Sequence, residues 1–148
     1  MVTDTPRDWL LLLYRIPREP TAPRVAVWRK LKRLGAVLLD DAAWVLPARE
    51  ALREQFRWLA AEIEEAGGHA LVWEARLAVG QDGAIVEQFA AQIEEPYREI
   101  LADLGRGSAD LVALSRRYQQ VVAQDYFQSE LGARVRTALT SASSGGER

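Results

Sequence analysis

Four cations within five residues, Arg29, Lys30, Lys32 and Arg33, are the side chains in this sequence with the clearest chemical use. Guanidinium and ammonium groups this close together hold phosphate or another oxyanion, by charge and, for arginine, by a planar fork of donors. At 100° per residue, Val27, Trp28, Leu31 and Leu34 make an opposing apolar stripe, so a helix here would bury one side and present the cations on the other. An ordinary solvated helix face is the plain alternative. Charge distribution favours an anionic partner. Residues 1–37 hold eight Lys/Arg against three Asp/Glu, a net of +5, whereas residues 38–148 hold eleven against eighteen, a net of −7. The formal charge of −2 conceals a polarised chain.

Two more arginines belong with this helix. Arg24 falls between Trp28 and Leu31 in helical phase, at the angular centre of the apolar stripe, yet in the first turn. It must reach around the sheet edge, pair with a carboxylate, or bind an anion. Arg15, at the end of the preceding apolar run, is expected close by. Together Arg15 and Arg24 would form a small anion-binding pocket, with a structural ion pair as the competing account.

Catalytic chemistry is harder to assemble. His69 is the sole histidine, which excludes a triad or a multi-histidine metal site within one chain, and its place after Gly67-Gly68 suits a solvated turn residue. Asp40-Asp41 with a third carboxylate would suit Mg²⁺, but a hairpin turn explains the pair without a metal. Glu62, Glu64 and Glu65 read as a solvated helix end. There is no cysteine and no glycine-rich phosphate loop. No catalytic residue, metal or cofactor is expected, and the chain reads as a non-enzyme.

These side chains need a scaffold, and the periodicities supply one. Trp9 to Ile16 is an apolar run of strand length, ended by Pro17. A helix over about 22–34 follows, with Thr21 as N-cap, Pro23 in the first turn and Gly35 as the stop. Ala36–Leu39 and Ala42–Leu46 read as a hairpin around the two aspartates. A helix over about 49–66 carries the stripe Leu52, Phe56, Leu59 and Ile63, and residues 69–77 alternate as a strand. The order β-α-β-β-α-β over residues 9–78 predicts an α+β, ferredoxin-like unit: an antiparallel four-stranded sheet with both helices on one face. Residues 84–140 read as a helical C-terminal extension, with a kink or restart near Glu95 at Pro96, Ser108 capping the next helix and a bend at Asp125-Tyr-Phe127. Residues 141–148 lack apolar content and read as a disordered tail. Trp28, Trp58 and Trp73 are expected in the core or an interface. No run approaches 18 apolar residues, and the first eight residues hold no signal-peptide core, so a soluble cytoplasmic protein without membrane contact is expected.

The segments Trp9-Leu-Leu-Leu-Leu-Tyr-Arg-Ile-Pro17, Arg24-Val-Ala-Val-Trp-Arg-Lys-Leu-Lys-Arg-Leu-Gly35 and Trp44-Val-Leu-Pro47 occur in a familiar order. With Trp58-Leu-Ala-Ala-Glu-Ile-Glu-Glu-Ala-Gly-Gly68 and the Asp125-Tyr-Phe127 bend, they resemble the N-terminal region of ChrB-type chromate resistance proteins. No single motif is specific; the ordered set carries the likeness across residues 9–140. The resemblance implies a regulator, or part of one, that binds the operator of a chromate-efflux operon and responds to the chromate oxyanion. It implies a DNA-facing role for Arg15, Arg18, Arg24, Arg29, Lys30, Lys32 and Arg33. A homodimer is expected. If the four helix cations each neutralise a phosphate, the log–log salt slope would be roughly −3.6. The alternative function is a non-catalytic protein-interaction module of the same resistance system. The first half also resembles CRISPR adaptation nuclease subunits, which hold a metal through an aspartate at the end of the first strand. Tyr14-Arg15-Ile16 offers no carboxylate there, so nuclease activity is not expected.

Overall fold

The computed structural model describes residues 7–107 and 110–145. Its elements run β1 (Trp9–Arg15), α1 (Thr21–Leu34), β2 (Val37–Leu39), β3 (Ala43–Pro47), α2 (Glu50–Glu65), β4 (His69–Ala75), α3 (Asp82–Gly105), α4 (Leu111–Val122) and α5 (Glu130–Gly145). Among the described residues this is an α+β protein with a four-stranded antiparallel sheet and five helices. The chain divides into two compact units, up to Ile85 and from Val86, the boundary falling inside α3.

In the first unit the sheet order is β2-β3-β1-β4. The apolar run of β1 is central, paired with β3 from Trp9↔Pro47 to Leu12↔Trp44 and with β4 from Trp9↔Ala75 to Arg15↔His69. Residues opposite one another across antiparallel strands share a face, so Leu10, Leu12 and Tyr14 lie with Trp44, Leu46 and Glu74. Arg53 of α2 grips Glu74 at 2.7 Å, and α1 borders Tyr14 and Trp44, so both helices meet this face. The α2 stripe of Leu52, Phe56, Leu59 and Ile63 is the buried set. On the other face, Trp9 is buried at one end, while Leu13 and Leu71 remain exposed at the other.

Turn chemistry fixes the connections. Gly35, at φ 75°, and Ala36 donate their N–H groups to the carbonyls of Lys32 and Leu31, closing α1. Asp40 and Asp41 both adopt positive φ, 50° and 56°, and turn β2 into β3. Gly68 is required by close approach, because a Cβ there would lie 2.3 Å from the Arg15 carbonyl oxygen. Just beyond it Glu64 Oε1 accepts the Ala70 N–H at 3.1 Å and lies 3.3 Å from His69 Nδ1. At the far end of β1, the Trp9 indole N–H donates to Asp82 Oδ1 at 2.7 Å, and the Arg7 N–H donates to Oδ2 at 3.2 Å. Asp82 is 8% exposed and opens α3.

The second unit closes around Ile93, Tyr97, Ile100, Leu114, Val135 and Leu139. The Tyr97 hydroxyl donates to Asp125 Oδ2 at 2.9 Å, and Asp125 also accepts from the Ser129 N–H and hydroxyl, which fixes the turn before α5. Gly132 lets α5 pass this pair: a Cβ there would meet Asp125 Oδ2 at 2.7 Å and the Tyr97 hydroxyl at 2.8 Å. Phe89 meets Tyr126 and Phe127 edge-on, at centroid distances of 6.1 and 5.5 Å.

Several expectations need correction. Of the two places expected for Trp28, Trp58 and Trp73, the core is excluded: they are 52%, 62% and 54% exposed, and the core tryptophans are Trp9 and Trp44. The buried stripe of α1 centres on Val27 and Leu31, so Trp28, 100° further round, leaves the core at its flank. Trp58 lies 200° from Phe56, on the outer side of α2, and Trp73 is on an edge strand. Helix α3 does not restart at Pro96: Ile93, Tyr97 and Ile100 are buried on both sides of it, and that packing offsets a local cost of about 3 kcal/mol. Thr21 is the first helical residue of α1, and Pro20 supplies the extended backbone at the cap position. Ser108 lies outside the described residues; α4 is capped by Asp110, whose side chain accepts from the Val112 and Ala113 N–H groups. Helix α5 continues through residues 141–145, and residues 146–148 lie outside the described range.

Two stability measurements test these anchors. Asp82→Ala strips the acceptor from a buried indole N–H and is expected to cost about 2–3 kcal/mol in urea denaturation, with Asp82→Asn losing less. Burial first, then the hydrogen bond to Asp125, pushes the Tyr97 phenol well above its ordinary value. The folded chain therefore keeps this proton where the unfolded chain, titrating near about 10, releases it. This contribution is complete below pH about 10 and is lost as pH rises beyond it. Tyr97→Phe should be less stable at neutral pH, by about 1–2 kcal/mol, yet lose less stability between neutral and strongly alkaline pH.

Candidate nucleic-acid interface

All seven cations singled out from the sequence are exposed. Helix α1 supplies five of them: its amphipathic pattern turns Val27 and Leu31 inward and leaves the opposite side to Arg29, Lys30, Lys32 and Arg33, while Arg24 emerges from the first turn on the apolar side. Arg15 closes β1, held in place where the chain passes tightly at Gly68, and Arg18 sits in the connection to α1.

The structure sorts these cations into separate settings. Arg15, Arg24 and Arg29 line one open groove of about 730 Å³ between the end of β1, α1 and the β2–β3 hairpin. Tyr14, Trp28 and Trp44 also line it, as does Asp41 from the hairpin turn. Lys30 and Arg33 border a second, smaller hollow of about 330 Å³ between α1 and α2, lined also by Trp58 and Leu59. There Lys30 Nζ donates to Glu62 Oε1 at 2.6 Å, so its charge is already matched by a carboxylate of α2. Lys32 Nζ stands 6.0 Å from the Trp28 ring centroid, at cation–π range. Arg18 lines neither depression.

Tyr14 registers the electrostatics of the larger groove. Burial pushes its phenol above the ordinary value, while a hydrogen bond from the Trp44 side chain and the positive charge of Arg24 act in the opposite sense. The groove thus combines exposed guanidinium groups with aromatic surface, the combination that holds anions and planar rings. Among the described residues, no three His, Asp or Glu side chains cluster closely enough to hold a metal ion. No described helix is long and apolar enough to cross a membrane.

Tyr14, Trp28 and Asp41 are groove residues that the sequence reading did not assign to a site. A usable signal was present for Trp28. Cations precede and follow it by four residues, at Arg24 and Lys32, and Arg29 is adjacent, a spacing that surrounds one indole with positive charge on a helix surface. Asp41 was legible as a turn residue and as half of a carboxylate pair, and neither points to a groove across from α1.

Comparison with known proteins gives three findings. The family model described as Protein ChrB, N-terminal, matches residues 24–124. A curated relative, Protein ChrB of Cupriavidus metallidurans, is 28% identical over 139 residues, covering 86% of this chain and 43% of that protein. The chain thus spans less than half the length of the relative. No solved structure matches.

The neighbourhood of Arg24 and Tyr14 can be read by titration. Arg24→Met removes a positive charge that favours the phenolate, so Tyr14 should ionise at a still higher pH than in the parent chain. Carbon-13 tyrosine spectra followed against pH would show that shift, and an unmoved Tyr14 would separate the two side chains.

Proposed function

Because this chain belongs to the Protein ChrB N-terminal family, we propose that it is a DNA-binding regulator, or the DNA-binding part of one, in a chromate-resistance response. The observation that carries the reading is the exposed basic side of α1, joined by Arg15 at the end of β1 and with Arg18 exposed in the connection between them. Phosphate contacts of this kind supply affinity and orientation, and sequence choice needs base contacts in addition. The family resemblance supports a chromate response, with the chromate oxyanion as effector, and a cytoplasmic homodimer that performs no catalysis. The sheet order β2-β3-β1-β4, with α1 and α2 on one face, supports reading the first unit as ferredoxin-like.

A second reading has its own observation. Trp28, Trp58 and Trp73 are all exposed, as are Leu13 and Leu71, and exposed aromatic and aliphatic groups favour a module that docks on another protein.

Salt dependence separates the two. Duplex binding through the basic side of α1 predicts a log–log salt slope that falls by about 0.9 for each phosphate neutralised, and Lys30, engaged by Glu62, is held back from that count. Glu62→Gln releases Lys30, and the slope should steepen by about 0.9 with tighter binding. Fluorescence anisotropy with a duplex from the upstream region and a scrambled control would measure both. A slope near zero in both proteins would leave the docking module.

A further inference from the structure

The larger groove is built for more than the backbone of a duplex. Its volume of about 730 Å³ is that of a small-molecule site, and a lone tetrahedral oxyanion would fill a small part of it. Guanidinium groups approach from three places: Arg15 from the end of β1, Arg24 and Arg29 from two turns of α1. Beside them stands the Trp28 indole, 52% exposed on a surface where burial would have been the cheaper use of so large an apolar ring. Asp41, across the groove, is an acceptor when ionised, so it complements ring N–H donors and opposes a bare anion.

The geometry points to a binding site for a nucleoside monophosphate, its base stacked on Trp28 and its phosphate held by Arg24 and Arg29, with Arg15 adding charge at the groove's end. The ligand needs both halves. Phosphate alone leaves the aromatic surface unused and faces Asp41, and a base alone leaves three arginines with only the one carboxylate of Asp41 in the groove. The proposal rests on the same basic helix as the DNA reading but not on duplex binding. Ligand and duplex would compete for Arg15, Arg24 and Arg29, which would make the groove an effector site.

Calorimetric titration of the full chain at low salt with GMP, guanosine and inorganic phosphate tests it. GMP should bind at least about tenfold more tightly than either fragment, since stacking and phosphate contacts each contribute. Trp28→Ala and Arg24→Ala, both at exposed positions, should each weaken GMP by about tenfold while circular dichroism stays unchanged. No binding of GMP, phosphate binding as tight as GMP, or GMP affinity indifferent to Trp28→Ala would overturn the site. A parallel duplex titration keeps the two readings apart. GMP binding without duplex binding removes the DNA function alone, and duplex binding without GMP binding removes this site alone.

Discussion

The contact on which the first unit depends is the one between Trp9 and Asp82. It joins residues 73 positions apart, an indole N–H and a carboxylate at 2.7 Å, both buried. Trp9 opens the central strand, so fixing its side chain fixes the start of both ladders that β1 makes. Asp82 opens α3, where a carboxylate also complements the positive end of the helix dipole. A buried carboxylate is costly unless its oxygens are satisfied, and here both accept a hydrogen bond. The strand therefore cannot slide along its neighbours without stranding that charge. Register along β1 in turn decides which residues arrive at its far end, and those are Tyr14 and Arg15 of the groove.

Legibility followed how locally each feature is determined. The α2 stripe is complete in the spacing of Leu52, Phe56, Leu59 and Ile63, because burial against one surface needs only helical phase. Gly35 and the pair Asp40-Asp41 were readable for a similar reason: few residues tolerate the positive φ those turns demand. Which of the core and an interface would take Trp28, Trp58 and Trp73 was not legible, because apolar area says that a residue gains from burial but not that a partner surface exists on its side. That α3 runs on through Pro96 without a restart was not legible, since the local penalty is visible in sequence and the packing of Tyr97 and Ile100 that overrides it is not. The basic helix was legible as charge. Its division into a groove group and a group facing Glu62 needed the position of α2, which no pattern along α1 encodes.

That division changes how the cations should be counted. Formal charge treats Arg29 and Lys30 alike, yet one borders an aromatic groove and the other is engaged by a carboxylate from the neighbouring helix. An exposed ion pair contributes little to stability, so the Lys30–Glu62 contact matters less as a brace than as a setting of the local field. The effective charge of α1 is thus a property of two helices together.

Glu64 has a bearing on how the sheet meets other chains. Strand β4 is the outer member on its side, seven residues long and largely exposed, and an outermost strand carries a row of main-chain groups that invite another strand. By accepting the Ala70 N–H, Glu64 occupies a main-chain donor near the start of that row and leaves a negative charge there. The open seam of the sheet is plugged at its Gly68 end by a carboxylate from the preceding helix. Any strand that added itself would have to pair from the Ala75 end, giving growth of the sheet a direction that the bare topology does not.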